Sequence, residues 1–546
     1  MGGYQMKIER ILIEDQMAPI GLDEKKPAFS WLLTAEEGEQ NLMQSACRIV
    51  VRTGEDTVWD SGKMETGVST GIGYEGEALQ PCTKYEVKAE VWDNHGGKAE
   101  AESSFETGLM DSLYAAWEGA EWIGAPHATV CAENRGVFTI ESEFWMEGGK
   151  GEAGIVFGAN DFRLNDHTKN ELGMEGENYI RYAVCLEDGD ARLEIYRVGY
   201  APEDTAEKPF AVTKLVNWKE KTQEILTPEN ADAFHKLTVE VDGNVAYAYV
   251  DGILVDAIEE HGFFGTKVSG RQLNPRGNND VLPYPRLNEI GFYAGKGTTG
   301  YFKNLTVRNV RKPSAEIIRE TPEGRLDGGK SIFADQIPVE NGYFKVEDSQ
   351  ITADPSHHSI PMLRSCISCQ KEKKLASARL YITARGIYDC RINGQEITKD
   401  LLRPGLTQYD HRMNYQTYDI TGLMKPGRNG IGVTLASGWW SEAQTFVVKN
   451  FNYFGDKESL LAKVVMKYED GSREVFGTNT EDWKYFGEGP YLFSSYFAGE
   501  QYDARRAEVY ETYSLPEFDD STWEKPVVVD TVMIEEFCTM PGFGRS

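Results

Sequence analysis

The chain has 546 residues, with 57 Lys and Arg against 87 Asp and Glu, for a formal charge of −30. That length exceeds a single core, so about three or four domains are expected. The acidic balance argues against nucleic acid, whose phosphates need clustered cations, and leaves neutral or cationic small ligands open. Met1 to Ile13 has polar residues every few positions and lacks the apolar core of a signal peptide. No window approaches the roughly 18 apolar residues of a membrane span. The 8 cysteines are scattered, unlike a disulfide framework, so a cytoplasmic location is expected. Cys366-Ile-Ser-Cys369 stands alone and reads as two thiols on opposite faces of a strand.

In chain order, residues 1–116 give short strands separated by turns. Tyr85, Val87, Ala89 and Val91 alternate with polar neighbours, Asn94-His95-Gly96-Gly97 turns the chain, and Trp59 and Trp92 read as core. Strands at roughly 8–12-residue spacing predict a sandwich, and the pattern resembles a fibronectin type III-like domain. Residues 117–131, with Trp122-Ile123-Gly124, read as a linker. Residues 132–312 hold longer alternating strands, such as Arg192 to Tyr196 and His235 to Val241, with Asp-Gly turns at Asp242 and Asp251. They predict a jelly-roll or concanavalin-like sandwich. Residues 313–352 are polar and contain glycine, and are expected as a second linker. Residues 353–530 give a third β-sandwich and 531–546 a tail. In the third unit Asn393-Gly394 lies between two strand runs, the strongest short hairpin signal. No long amphipathic helix appears, so the fold class is all-β.

Three motifs in order carry a resemblance. They are I-N-G followed by P-G-L-T-Q-Y-D and Y-Q-T-Y-D-I-T; G-W-W at Gly438 to Trp440; and Y-F-A-G-E-Q-Y-D-A-R from Tyr496. Together they resemble the N-terminal β-domain of bacterial α-L-rhamnosidases. P-A-F-S-W, V-W-D-S-G-K and S-S-F-E-T-G-L resemble the fibronectin-like domain preceding it. The block at 132–312 sits where some members carry a calcium-dependent L-rhamnose-binding module. The family hydrolyses terminal α-L-rhamnosides with inversion, which needs two carboxyl groups ~6.5–9.5 Å apart. It places that chemistry in a later (α/α)6 barrel with a D-E-R-x-G-W-x-G-D loop. That loop is not found before Ser546. The resemblance therefore implies an accessory half without catalytic residues, expected to be inactive alone. It would bind rhamnose-containing glycans. The alternatives are a fragment of a complete rhamnosidase, and a protein docking a catalytic barrel in cis or in trans.

The resemblance nominates Glu177 and Asn178, at a strand start, as calcium ligands and, with Tyr179, as sugar contacts. Glu stands where the family's module has Asp. Hard oxygen donors of this kind suit Ca²⁺. Asn160 and Asp161, and after them Asn165-Asp166-His167, are second choices in a polar loop that reads equally as turn chemistry. Trp440 is nominated as an aromatic platform for a sugar ring, with one of Trp439 and Trp440 expected in the core because strand neighbours point opposite ways. Glu500 and Asp503, close to Arg505 and Arg506, read as an ion-paired interface that would face the barrel.

Overall fold

The computed structural model describes residues 6–35, 41–165, 177–187, 190–201, 204–215, 225–227, 229–242, 245–255, 285–310, 312–442, 452–497, 499–529 and 536–539. Nearly all regular structure is β-strand. The longest helix among the described residues is Ala507–Thr512, so no helical barrel lies within them. None of their helices is long and apolar enough to cross a membrane.

The first unit packs a three-stranded sheet (Met6–Ile13, Ala28–Ala35, Ile72–Gly73) on a four-stranded one (Asp56–Asp60, Gln44–Thr53, Lys84–Asp93, Lys98–Glu106). All its strand pairs are antiparallel. The alternation seen in sequence puts Tyr85, Val87, Ala89 and Val91 inward with Phe29, Trp31 and Phe105. Trp59 packs on this core, 5.9 Å from the Phe29 ring. Trp92 lies on the outer face instead, where the Lys63 and Lys98 ammonium groups sit over its ring at 5.0 and 5.4 Å. Cation–π cover of this kind shields an outward indole without burying it.

The second unit is a sandwich of larger sheets around one core that includes Phe138, Phe157, Tyr182, Phe292 and Phe344. The segment expected as a linker at 313–352 belongs to it. Lys312–Thr321 pairs with Leu305–Asn309, Tyr343–Glu347 with Thr299–Phe302, and Gln350–Ala353 with Glu289–Ala294. Apart from Lys312–Thr321 its strands are short, so the polar composition masked the pairing.

The third unit packs a five-stranded sheet on a seven-stranded one. Ile387–Ile392 turns through Asn393 and Gly394 into Gln395–Glu396. Both turn residues have positive φ, 51° and 82°, the type I′ geometry that Asn-Gly supplies. The Asn393 side chain also accepts from the Gly430 amide and donates to the Leu423 carbonyl, tying the hairpin down. Two expectations fail here. Gly438–Ser441 is a single helical turn, not a strand. The presumed tail contributes Glu536–Thr539, parallel to Arg412–Asp419.

The connection at 117–131 is not a free linker either. Ile123–Gly124 pairs with Ser459–Tyr468 and Val527–Val528 of the third unit. Trp117 and Trp122 are buried with Leu109, Tyr381, Tyr415 and Trp440 in a core shared by the first and third units. Glu118 there accepts from Lys463 Nζ at 2.7 Å and from both Arg473 terminal nitrogens at 2.8 and 2.6 Å.

Candidate functional site

The residues nominated in the second unit do come together, but as a hydrogen-bonded loop anchor. Asn178 is 2% exposed, and its Oδ1 accepts from the Asp161 amide at 2.8 Å, while its own carbonyl accepts from the Asn160 amide. Asp161, 1% exposed, is clasped by Arg163 through Nε at 2.8 Å and Nη2 at 2.5 Å. Asn160 is exposed and donates to Glu289 Oε2 at 2.7 Å. Glu177 is exposed, beside the inward Asn178, and Tyr179 is half-buried under the Arg181 guanidinium. A calcium cage needs six to eight converging oxygens. Here the Asp161 carboxylate is neutralised by Arg163 and the Asn178 oxygen is already used. Glu177 and Asn178 therefore do not fit a calcium ion among the described residues. The loop at 166–176, with Asp166 and His167, lies outside the described residues, as does the side chain of Asn165.

Trp440 is corrected as well. It is 3% exposed, with Phe454 stacked at 6.2 Å and the Arg385 guanidinium 5.2 Å from its ring centre. It is among the residues bordering a cleft of about 490 Å³, but at 3% exposure it offers no ring face to a ligand. The helical turn of Gly438–Ser441 rotates the side chain into the core, where an extended strand would have left the choice open.

The third unit carries a different cleft, of about 440 Å³, bordered by Tyr388, Asp389, Arg403, Tyr491, Tyr496 and Tyr510 among others. Strand Ile387–Ile392 turns Tyr388, Cys390 and Ile392 inward and leaves Asp389 and Arg391 outward. Asp389 accepts from Arg403 Nη2 at 3.0 Å and from the Tyr510 hydroxyl at 3.1 Å. Burial pushes the Tyr510 phenol well above its ordinary value, so it stays a proton donor at neutral pH. Arg403 lies over the Tyr388 ring at 5.0 Å, with its Nε and Nη1 buried and the Tyr418 hydroxyl beside the guanidinium. Tyr491 meets Tyr510 edge to face at 5.2 Å, and Ser494 donates to Glu500 at 2.9 Å. The arrangement offers aromatic walls, the Asp389 and Glu500 carboxylates and the Arg403 guanidinium, the composition of a small-ligand site. Sequence reading missed it because its parts come from segments more than 100 residues apart. The local trace was Asp389 and Arg391 alternating outward from a strand.

A further cleft, of about 340 Å³, lies between the second and third units. Cys131, Glu133, His357, His358, Glu488 and Arg506 border it. Burial lowers the His357 imidazole to about 4, so it is neutral at pH 7. The ion pairing expected at Asp503 is present, with Arg505 at 2.8 Å and Arg506 at 3.5 Å. The Arg505 hydrogen bonds hold the Asp503 carboxyl down at about 2.

Comparison with known proteins follows the same division. The model described as "Alpha-L-rhamnosidase N-terminal domain" matches residues 373–538, and "Rha78A-like, N-terminal immunoglobulin domain" matches 8–111. An α-L-rhamnosidase of Streptomyces avermitilis is 28% identical over 523 residues, which is 94% of this chain and 44% of the relative. One from Formosa agariphila is 37% identical over 152 residues, 28% of this chain and 16% of the relative. The crystal structure of the Streptomyces avermitilis α-L-rhamnosidase complexed with L-rhamnose superposes with a TM-score of 0.55 at 21% identity. That match covers 98% of this chain and 46% of the other, and at that identity it speaks for the fold. The chain spans less than half the length of these relatives.

Proposed function

The chain belongs to the α-L-rhamnosidase family, and from that membership we propose that it is the accessory, non-catalytic β-region of such a protein, binding or presenting rhamnose-containing glycans. The tyrosine-walled cleft around Asp389 and Arg403 carries this reading. A deoxy sugar presents C–H faces and a methyl group on one side and hydroxyls on the other. Aromatic rings suit the first, and a carboxylate flanked by guanidinium N–H groups suits the second. Tyr491, Tyr496 and Tyr510 supply the rings. Asp389 offers its carboxylate to a sugar hydroxyl, and Arg403 Nη2 holds that carboxylate in place. Asp389 and Glu500 both border the cleft, but each is already held, Asp389 by Arg403 and the Tyr510 hydroxyl and Glu500 by Ser494, which favours binding over acid and base work.

Isothermal titration with L-rhamnose and with p-nitrophenyl α-L-rhamnoside tests the reading, with a hydrolysis assay on the same preparation. Millimolar binding, abolished in Asp389→Ala and free of turnover, is expected. Turnover by the purified chain refutes the accessory assignment, and binding unaffected in Asp389→Ala refutes the cleft.

A second reading rests on the cleft's rim. Leu401 is 84% exposed, Leu402 stands beside it, and Tyr496 and Phe497 extend the apolar edge. Exposed apolar residues grouped at one edge mark interaction surfaces. On this reading the rim docks the family's catalytic barrel, in cis or in trans. Leu401→Asp then leaves sugar binding intact and weakens docking to an added barrel domain.

A further inference from the structure

We infer that Asp327, His357 and His358 form a binding site for one divalent transition-metal ion, of the zinc class, at the seam between the second and third units. The ligand atoms of these three residues all lie within 4.8 Å of one another. They come from two loops that sequence order keeps apart. Asp327 follows Gly324–Arg325 in the second unit, and the histidines follow Gln350–Ala353 where the chain enters the third.

The spacing suits a tetrahedral ion. Ligands about 2.0–2.1 Å from such an ion stand about 3.3 Å from each other. His358 Nε2 and Asp327 Oδ2 are 3.2 Å apart. An ordinary ion pair accounts for that single distance, but not for the second imidazole or for how each ligand is held. In every case the atom that does not face the cluster has its own partner. His357 Nδ1–H donates to the Pro355 carbonyl at 2.8 Å, leaving Nε2 as that ring's lone pair. His358 Nδ1 lies 3.2 Å from Glu488 Oε1, and Asp327 Oδ1 accepts from the Gly329 amide at 3.0 Å. Outer partners of this kind, a carbonyl or carboxylate on each imidazole, fix the tautomer and aim the lone pair in metal sites.

The surroundings agree. His127 stacks on the His358 ring at 5.0 Å and 11°, with its own Nε2 3.0 Å from Glu524. His358 is held at φ 57°, an uncommon backbone for a residue of its kind. The histidines border the cleft of about 340 Å³, so a fourth position is open to water. Two imidazoles with one carboxylate favour zinc and its neighbours over calcium or magnesium, which prefer oxygen alone.

The test uses the whole chain, stripped with EDTA and dialysed into zinc-free buffer. Titration with ZnCl2, and metal analysis after gel filtration, are expected to give one zinc per chain, with no calcium retained. Cobalt(II) is expected to give the visible absorption bands of a tetrahedral site. Asp327→Asn and His357→Ala each lower zinc affinity at least tenfold, while His95→Ala, in the first unit, leaves it unchanged. Asp327→Asn preserves side-chain size, and its unliganded melting temperature separates lost metal binding from lost folding. Absence of stoichiometric zinc in the wild-type chain overturns the inference. So does equal zinc binding in the folded Asp327→Asn and His357→Ala variants. Sugar binding is not needed for any of these readouts, so the result stands apart from the proposed function.

Discussion

Glu118→Gln gives the sharpest test of how the units are joined. Glu118 holds Lys463 and Arg473 on the strands of the third unit, from the connection that leaves the first. The Arg473 hydrogen bonds, with help from Lys463, lower its carboxyl from 4.5 to about 2. At full strength that fall is worth roughly 3 kcal/mol, since each tenfold step is 1.36 kcal/mol. The side chain is 36% exposed, so water screens the interaction and about half, ~1.5 kcal/mol, is retained. Lys463 is already counted in that figure, and in the variant its buried ammonium keeps the Ala116 carbonyl and the Tyr381 ring. For a unit of this size, ~1.5 kcal/mol is about 3–6 °C in melting temperature. The folded value lies below the unfolded one. The stabilisation is therefore present above pH 4.5 and is lost as pH falls through about 2. Calorimetry of wild type and variant at pH 7 and pH 3 should show a gap that narrows by more than half. A gap below about 1 °C at pH 7, or one of constant size, refutes the reasoning.

Trp440→Ala should lower stability by about 3–5 kcal/mol through lost aromatic packing, and chemical denaturation of the third unit measures it. Arg364→Met should cost about 3 kcal/mol, since the buried guanidinium donates to the Tyr513 and Leu515 carbonyls and pairs with Asp520. The Ala507–Thr512 helix should then become the first proteolytic site, read by limited digestion. Asn393→Ala should cost about 1–3 kcal/mol, from an alanine at φ 51° and an unpaired Gly430 amide. A change below about 0.5 kcal/mol in any of the three counts against the packing described.

The fold class was legible because period-2 alternation survives wherever one face of a strand is buried, as in Tyr85 to Val91 and Tyr388 to Ile392. The Asn-Gly hairpin was legible because its turn conformation selects its residues. What escaped were pairings made by polar or very short strands, such as Val339–Glu340 and Gln350–Ala353, whose stability comes from neighbours distant in sequence. The site suffered more. Motif position put Glu177, Asn178 and Trp440 forward, but position does not say which lone pairs are spent locally. Asp161 and Asn178 spend theirs on Arg163 and on a backbone amide. The cleft around Asp389 needed Arg403, Tyr491 and Tyr510, and no local pattern links those positions.

The same long-range closure governs how the three units act together. Ile123–Gly124 is a strand of the third unit, and Trp117 lies in a core built from the first and third. Met362–Cys369 then begins the third unit right after the histidine seam. The second unit is thus an insertion held at both ends by elements that complete its neighbours. Loosening either end exposes aromatic core as well as freeing a domain, so the connections resist swinging far more than polar linkers do. A glycan bound at the Asp389 cleft, as proposed, would accordingly be presented by a braced scaffold. A metal at Asp327, His357 and His358 would brace the same seam from its other side.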